Sequence, residues 1–145
     1  MYILHNAQLS MSAAAGKDCF SFDYNVAWVD TDALGIMHFS NYFRLCERTE
    51  QLFFESRGLY ESGDVFLPRV HASCDYLYPL KFRQKAKVKL SISEIGNRHV
   101  TFDYSIVNES EGKISAKCKI IVASVDKNMK PLKISSDIVK RLKGE

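Results

Sequence analysis

A short polar stretch near the N-terminus carries the residues of this chain that could do chemistry together. Asp30 and Asp32 lie just before His38, and Gly35 stands between them. A carboxylate and an imidazole can exchange protons, and a carboxylate can also attack a carbonyl carbon. The stretch leads into a predicted helix, whose first backbone N–H groups have no partner inside the helix and can polarise a carbonyl. Together these groups are typical of a hydrolytic site.

Each of these residues also has a common structural role. An Asp in a loop often accepts a hydrogen bond from a backbone N–H two residues later. A single Gly often supplies the positive φ that a turn needs, and a single His is more often structural than catalytic. Their combination between a predicted strand and a predicted helix favours the functional interpretation.

The elements on either side must position this stretch. Apolar and polar residues alternate from Cys19 to Val29, which predicts a strand with one buried face. A helix is predicted from Ser40 to Arg57, with Ser40 as its N-cap and Gly58 ending it. One side of this helix repeats core residues at helical spacing: Tyr42, Leu45, Cys46, Thr49, Leu52, Phe53 and Ser56. A second row, with two phenylalanines, predicts that another side is partly covered too: Phe43, Glu47, Glu50 and Phe54.

Four alternating segments follow the helix and predict four further strands. Their apolar residues fall within positions 70–78, 86–92, 100–106 and 114–122. The turn signals at 96–97 and 110–112 predict hairpins, and such short connections require antiparallel pairing. A C-terminal helix is predicted from Ser136 to Lys143. The expected fold class is therefore α+β, with a mainly antiparallel five-stranded sheet wrapped around one long central helix.

Composition bounds the class of protein. The 145 residues are 46% hydrophobic and 26% charged, which is typical of one globular domain. The net charge of +3 is too small to indicate a nucleic-acid partner, although it favours anionic small molecules. The sequence has no run of about 18 apolar residues, so it predicts no membrane span.

The N-terminus and the cysteines indicate a cytoplasmic protein. Residues 1–17 lack a basic region before their weakly apolar part and are expected to be a loosely structured leader, and residues 18–145 a single domain. The four cysteines contain no C-x-x-C pair and lie in apolar periodic segments. They are expected to be buried free thiols in a reducing compartment.

One segment resembles a known family. The stretch V-D-T-D-A-L-G-I-M-H-F-S-N-Y-F-R-L-C-E-R-T-E, residues 29–50, is similar to acyl-CoA thioesterases of the 4-hydroxybenzoyl-CoA thioesterase superfamily, which have the hot-dog fold. The family pattern is D-x-D-x-x-G followed by an aromatic residue or His, and then by Tyr and an acidic residue on the helix. The matching residues are Asp30, Asp32, Gly35, Tyr42 and Glu47. The segment 68–76, followed by Pro79-Leu80, resembles the family's second strand.

The resemblance implies an acyl-CoA thioester hydrolase with roles for particular residues. Asp32 matches the catalytic carboxylate, acting as general base or as nucleophile. The amides of the Gly35–Phe39 segment match the helix start that holds the thioester carbonyl. Arg98 falls in the turn where basic residues contact the phosphates of coenzyme A. Several relatives place a catalytic His where this chain has Phe39, one position after His38.

The remaining site residues follow from the same comparison. Tyr42 is expected to contact substrate, as are Gly35, Phe39 and Arg98, while Glu47 and His38 are expected to assist Asp32. The resemblance implies no metal and no cofactor, because coenzyme A is part of the substrate. It also implies a homodimer, or a tetramer of dimers, with each active site at the subunit boundary.

Two other functions remain open from the sequence. The first is a non-catalytic acyl-CoA-binding module. The second is a hydratase or dehydratase of the same fold, since His38-Phe39 is similar to the start of the H-F-P motif of such enzymes. The carrier, coenzyme A or an acyl carrier protein, and the acyl group, aromatic or aliphatic, are also open.

Overall fold

The protein forms one antiparallel sheet covered on one face by a helix. The computed structural model describes residues 20–61, 63 and 65–145. The strands are β1 (Phe20–Asn25), β2 (Arg69–Tyr76), β3 (Lys85–Ile95), β4 (His99–Asn108) and β5 (Lys113–Ala123), and the helices are α1 (Phe39–Ser56) and α2 (Ser136–Lys143). The strand order across the sheet is β1-β3-β4-β5-β2, so β1 and β2 are the edges. The predicted α+β fold with five antiparallel strands is confirmed.

The core lies between α1 and the inner face of the sheet. The apolar residues that alternate along β3, β4 and β5 are buried there against α1, with Tyr42 and Phe53 of the helix fully buried. Lysines on the outer face of β3 pair with acidic neighbours: Lys87 lies 3.2 Å from Glu109 and 3.8 Å from Asp23. Period-two alternation therefore predicted these three strands well, because one face is apolar and the other is charged.

The first strand is shorter than the alternation predicted. β1 ends at Asn25, and residues Trp28–Asp30 form a short 3-10 helix. As a result Trp28 is 79% exposed instead of lying on the buried face. The chain turns there because the Asp30 carboxylate accepts a hydrogen bond from the N–H of Ala27, at 2.8 Å.

Helix α1 begins one residue earlier than predicted. Its first residue is Phe39, and the N-cap is His38 rather than Ser40. Gly58, with φ of +63°, follows the helix end as expected. The expected cover of the second row is confirmed, since Glu50 and Phe54 are buried.

Two parts of the chain complete the description. Helix α2 covers the predicted range, and its Ile138 and Leu142 enter the core. The predicted leader at 1–17 and Cys19 lie outside the described residues. No helix within the described ranges is long and apolar enough to cross a membrane.

Candidate active site

Asp30 fixes the entry to α1. Its Oδ2 accepts hydrogen bonds from the Tyr24 hydroxyl at 2.6 Å and from the Ala27 N–H at 2.8 Å. Its backbone oxygen accepts from the N–H of His38 and from the side-chain amide of Asn41, both at 2.8 Å. Burial, followed by the Asp30 carboxylate, raises the pKa of Tyr24 to about 12. Asp30 is therefore engaged on both its side chain and its backbone.

Asp32 opens a tight turn and keeps part of its carboxylate available. Its backbone accepts a bond from the N–H of Gly35 and donates to the oxygen of Ile36, both at 2.9 Å. Oδ1 accepts a bond from the N–H of Leu34 at 2.8 Å, while Oδ2 has no partner among the described residues. Gly35 adopts φ of +75°, which a residue with a Cβ rarely does. The turn thus presents one fixed and one available carboxylate oxygen.

The start of α1 offers a free donor beside this turn. The Nδ1 of His38 caps the helix, accepting from the N–H of Ser40 at 3.3 Å and lying 2.7 Å from its Oγ. Nε2 of His38 has no partner among the residues that the structure describes. The N–H of Phe39 has no acceptor in the described part of the chain, as expected for the first residue of a helix. The backbone oxygen of Phe39 accepts from the Tyr76 hydroxyl at 3.0 Å, which ties the helix start to β2.

Four of the predicted site residues lie in or directly after one small hairpin. Thr31 and Met37 pair across this hairpin, so Asp32 and Gly35 lie in its turn and His38 and Phe39 directly follow it. The ring of Phe39 is 59% exposed and lies 4.4 Å from that of His38.

Tyr42 and Glu47 lie elsewhere on α1. Tyr42 is completely buried and packs edge-on against Tyr76, at 5.0 Å between ring centroids. Glu47 is exposed, eight residues into the helix, and contributes to the rim of a separate cavity. The single chain therefore does not place these two side chains against Asp32.

Arg98 lies at the opposite end of the sheet. The Asp32 hairpin pairs with Lys81, a few residues before β3 begins, whereas Arg98 lies in the turn after β3, directly before β4 begins at His99. The 11 residues of β3 separate these ends by roughly 33 Å. Within one chain, Arg98 is too far away to serve the Asp32 site.

A cavity of about 400 Å³ opens beside the second half of α1. Its apolar wall includes Phe54, Leu59, Val65, Leu67 and Ile138, and its polar wall includes Glu47, Glu50 and Arg69.

Glu50, on the polar wall of this cavity, was not predicted from the sequence to be a site residue. It is 2% exposed, and its Oε2 accepts from Arg69 at 2.9 Å and from the Tyr104 hydroxyl at 3.1 Å. Burial raises the pKa of Glu50, although Arg69 and Tyr104 oppose the shift. The two phenylalanines in its row were a signal that this side of α1 is covered, but the partners lie far away in sequence.

The structure also bears on cofactors. Among residues 20–61, 63 and 65–145, no group of three or more His, Cys, Asp or Glu side chains is arranged to hold a metal ion.

Comparison with known proteins places this chain in a family. A family model described as "Thioesterase-like superfamily" matches residues 26–142. The chain belongs to the thioesterase-like superfamily. A protein named putative esterase from Aquifex aeolicus is 32% identical over 128 residues, covering 86% of this chain and 98% of the relative. A 1,4-dihydroxy-2-naphthoyl-CoA hydrolase from Synechocystis is 24% identical over 121 residues, covering 78% of this chain and 88% of the relative.

The solved structures agree on the fold. A 1,4-dihydroxy-2-naphthoyl-CoA thioesterase from Synechocystis superposes with a TM-score of 0.76 at 21% identity, covering 85% of this chain and 94% of that one. The predicted hot-dog fold and thioesterase family are thereby confirmed, as is the predicted enzyme class at the level of the family. The individual roles of Asp32, His38, Glu47, Gly35, Phe39, Tyr42 and Arg98 stay predictions.

Proposed function

We propose that this protein hydrolyses acyl-CoA thioesters to a carboxylic acid and free CoA. The observation that carries the proposal is that the hairpin with the partly available Asp32 carboxylate leads directly into the start of α1, where the Phe39 N–H has no acceptor among the described residues. A thioester carbonyl is already reactive, so a carboxylate and an oriented N–H donor form a sufficient catalytic set. The hydrolases named among the relatives support the same reaction class.

The helix start would stabilise charge on the thioester oxygen. As the carbonyl carbon becomes tetrahedral, its oxygen gains negative charge, which the Phe39 N–H and the positive end of α1 would favour. The donor is preorganised, because the His38 cap and the Tyr76 hydroxyl both fix the first turn. A preorganised donor costs no rearrangement at the moment of reaction.

Asp32 would supply either the nucleophile or the base. In one route its carboxylate attacks the carbonyl carbon and expels the CoA thiolate, leaving a mixed anhydride that water then hydrolyses. In the other route it takes a proton from water as that water attacks. Either route needs one oxygen free and the other fixed, which is the state of Oδ2 and Oδ1.

His38 would act through its remaining ring nitrogen. Because Nδ1 caps α1, only Nε2 could hold a water or contact the carboxylate. Since the side chain of His38 caps α1 and packs against the ring of Phe39, we propose a positioning role for it. Gly35 would set the turn that aims Asp32, and it would leave room for the substrate because it has no side chain.

The acyl group would lie between two copies of the chain. Among the described strands, β2 is an edge: it pairs with β5 on one side, and its residues are mostly exposed. It runs from Arg69 beside the cavity to Tyr76 beside the helix start. Symmetric antiparallel pairing of two β2 strands, centred between Ala72 and Ser73, would set residue 69 of one copy opposite residue 76 of the other. The cavity with Glu47 would then face the partner's Asp32 hairpin.

The same symmetry would bring Arg98 into the site. A two-fold axis through β2 exchanges the two ends of the sheet, so the β3–β4 turn of one copy would lie at the same end as the Asp32 of the other. Arg98 could then contact the phosphates of CoA across the subunit boundary, where it could not do so within one chain.

The test is a hydrolysis screen of the full chain. The panel contains 1,4-dihydroxy-2-naphthoyl-CoA, benzoyl-CoA, and short and long aliphatic acyl-CoAs, with loss of the thioester absorbance as readout. We expect turnover of at least one member above the uncatalysed rate. Binding of acyl-CoA without turnover of any member would overturn the proposal and favour the binding module.

A further inference from the structure

Three cysteines meet on the inner side of the sheet. Cys46 belongs to α1, Cys74 to β2 and Cys118 to β5, and all three are free thiols. Cys74 and Cys118 are direct partners across the β2–β5 ladder, with their sulfur atoms 2.7 Å apart. Cys46 contacts Cys118 from the helix side.

The register of β2 and β5 is compatible with a disulfide between Cys74 and Cys118. Directly opposed residues of an antiparallel pair have Cα atoms about 4.5 to 5.5 Å apart, within the range of about 4.4 to 6.8 Å that disulfides use. The fold therefore places the thiols of Cys74 and Cys118 in direct contact as a pair.

We propose that Cys74 and Cys118 are a modification site, at which a hydroperoxide converts the two thiols into a disulfide within one chain. The Cys74 sulfur attacks the terminal peroxide oxygen, the O–O bond breaks, and Cys74 becomes a sulfenic acid while the hydroperoxide leaves as water or an alcohol. The Cys118 sulfur then attacks the Cys74 sulfur and expels water. Two thiols are oxidised, one peroxide is reduced, and the two thiol hydrogens leave on the oxygens.

Cys74 is expected to react first with the hydroperoxide, because it is the most exposed of the three cysteines. Its side chain is half-buried, while Cys118 is 4% exposed and Cys46 is completely buried. The contact with Cys118, followed by burial, raises the pKa of Cys74, so little thiolate is present near neutral pH. Oxidation is therefore expected to be slow at neutral pH and faster as the pH rises, because the thiolate is the reactive form.

The disulfide would fasten the edge strand to the sheet. It would link β2 to β5 and close the loop of chain between positions 74 and 118. Closing such a loop restricts the unfolded chain and so raises the unfolding temperature. Neither cysteine lies in the Asp32 hairpin, so the disulfide would leave the Asp32 carboxylate itself unmodified.

The experiment exposes the full chain, with Cys19→Ser to prevent links between chains, to hydrogen peroxide at two pH values. Intact mass and peptide mapping then locate the product. We expect the loss of two hydrogen atoms, a linked pair of peptides containing Cys74 and Cys118, a higher unfolding temperature, and reversal of all three by dithiothreitol. The yield at a fixed time should be greater at the higher pH.

Two variants keep the test decisive. Cys46→Ser leaves the pair intact and should still form the disulfide, whereas Cys74→Ser changes a half-buried residue and should abolish it. Retention of all thiols in folded protein, oxygen added at Cys74 without a link, or a link between Cys46 and Cys118 would each overturn the proposal.

Discussion

Asp30 and Asp32 belong to the same short motif, but they differ in how far hydrogen bonds engage their carboxylates. Asp30 is engaged by Tyr24 and Ala27 through its side chain, and by His38 and Asn41 through its backbone oxygen. Among the residues that the structure describes, Asp32 is engaged only through Oδ1 and its backbone. Sequence spacing alone does not distinguish them, whereas their hydrogen bonds favour a structural role for Asp30 and leave Asp32 as the candidate for chemistry.

The burial of Glu50 predicts how the free energy of unfolding depends on pH. Its pKa is raised in the folded protein, so between its unfolded and folded values the folded state binds more protons than the unfolded state. The contribution of Glu50 to stability is then fully present below the unfolded pKa and is lost as the pH rises through the raised value. The free energy of unfolding of the wild type, relative to Glu50→Gln, should therefore fall as the pH rises above the ordinary Glu pKa of about 4.3.

Glu47→Gln is the matched control for that measurement, because Glu47 lies on the same helix but is exposed. Denaturant titrations of the three proteins at several pH values supply the comparison. If the difference in free energy of unfolding between wild type and Glu50→Gln is independent of pH, or rises with pH, the pKa of Glu50 is not raised by folding.

At the scale of elements, the Asp32 hairpin depends on a left-handed residue. Gly35 has φ of +75°, and a Cβ there would meet no atom within 4 Å, so Gly35→Ala costs only backbone strain. We expect a stability loss of about 1 kcal/mol, together with a fall in kcat because the turn aims Asp32. Gly112→Ala, at φ of +65° in the β4–β5 turn with equally open space, should lose similar stability and keep kcat. Equal kcat for both variants would show that the turn does not position Asp32.

The sequence predicted those elements whose signal is local. Alternation fixed β3, β4 and β5, and helical spacing fixed α1 and α2 to within about a residue. The misassigned points depend on particular side chains: Asp30 ends the alternation early by binding Ala27, and His38 takes the cap position that Ser40 was expected to fill. Glu50 was not identified as a site residue because Arg69 and Tyr104 are 19 and 54 positions away.

At the scale of the whole molecule, the exposed edge strand β2 predicts a dimer that pairs through it. The β2 edge has unpaired backbone groups and exposed apolar residues such as Val70, at 63%. Light scattering should give twice the monomer mass, or four times it for a tetramer of dimers. A monomer mass at every concentration, with full activity, would contradict the shared site.

The dimer also predicts how two defective variants combine. If Arg98 serves the partner's Asp32, a mixed dimer of Asp32→Asn and Arg98→Ala has one site with both residues intact. Such mixtures should recover a low KM for acyl-CoA that Arg98→Ala homodimers lack, since a distant phosphate contact chiefly affects KM. Recovery should be absent for a shortened thioester without the nucleotide. If the mixtures show only the high KM of Arg98→Ala, Arg98 does not act across the boundary.

The most direct test of the central claim is the hydrolysis rate of Asp32→Asn beside that of Asp30→Asn, on an acyl-CoA that the wild type turns over. Both changes remove one negative charge from the same motif and keep the side-chain shape. Because Asp32 is proposed as base or nucleophile, Asp32→Asn should fold normally and lose on the order of 10²-fold or more in kcat. Asp30→Asn should lose far less. Equal kcat for wild type and folded Asp32→Asn would contradict the mechanism.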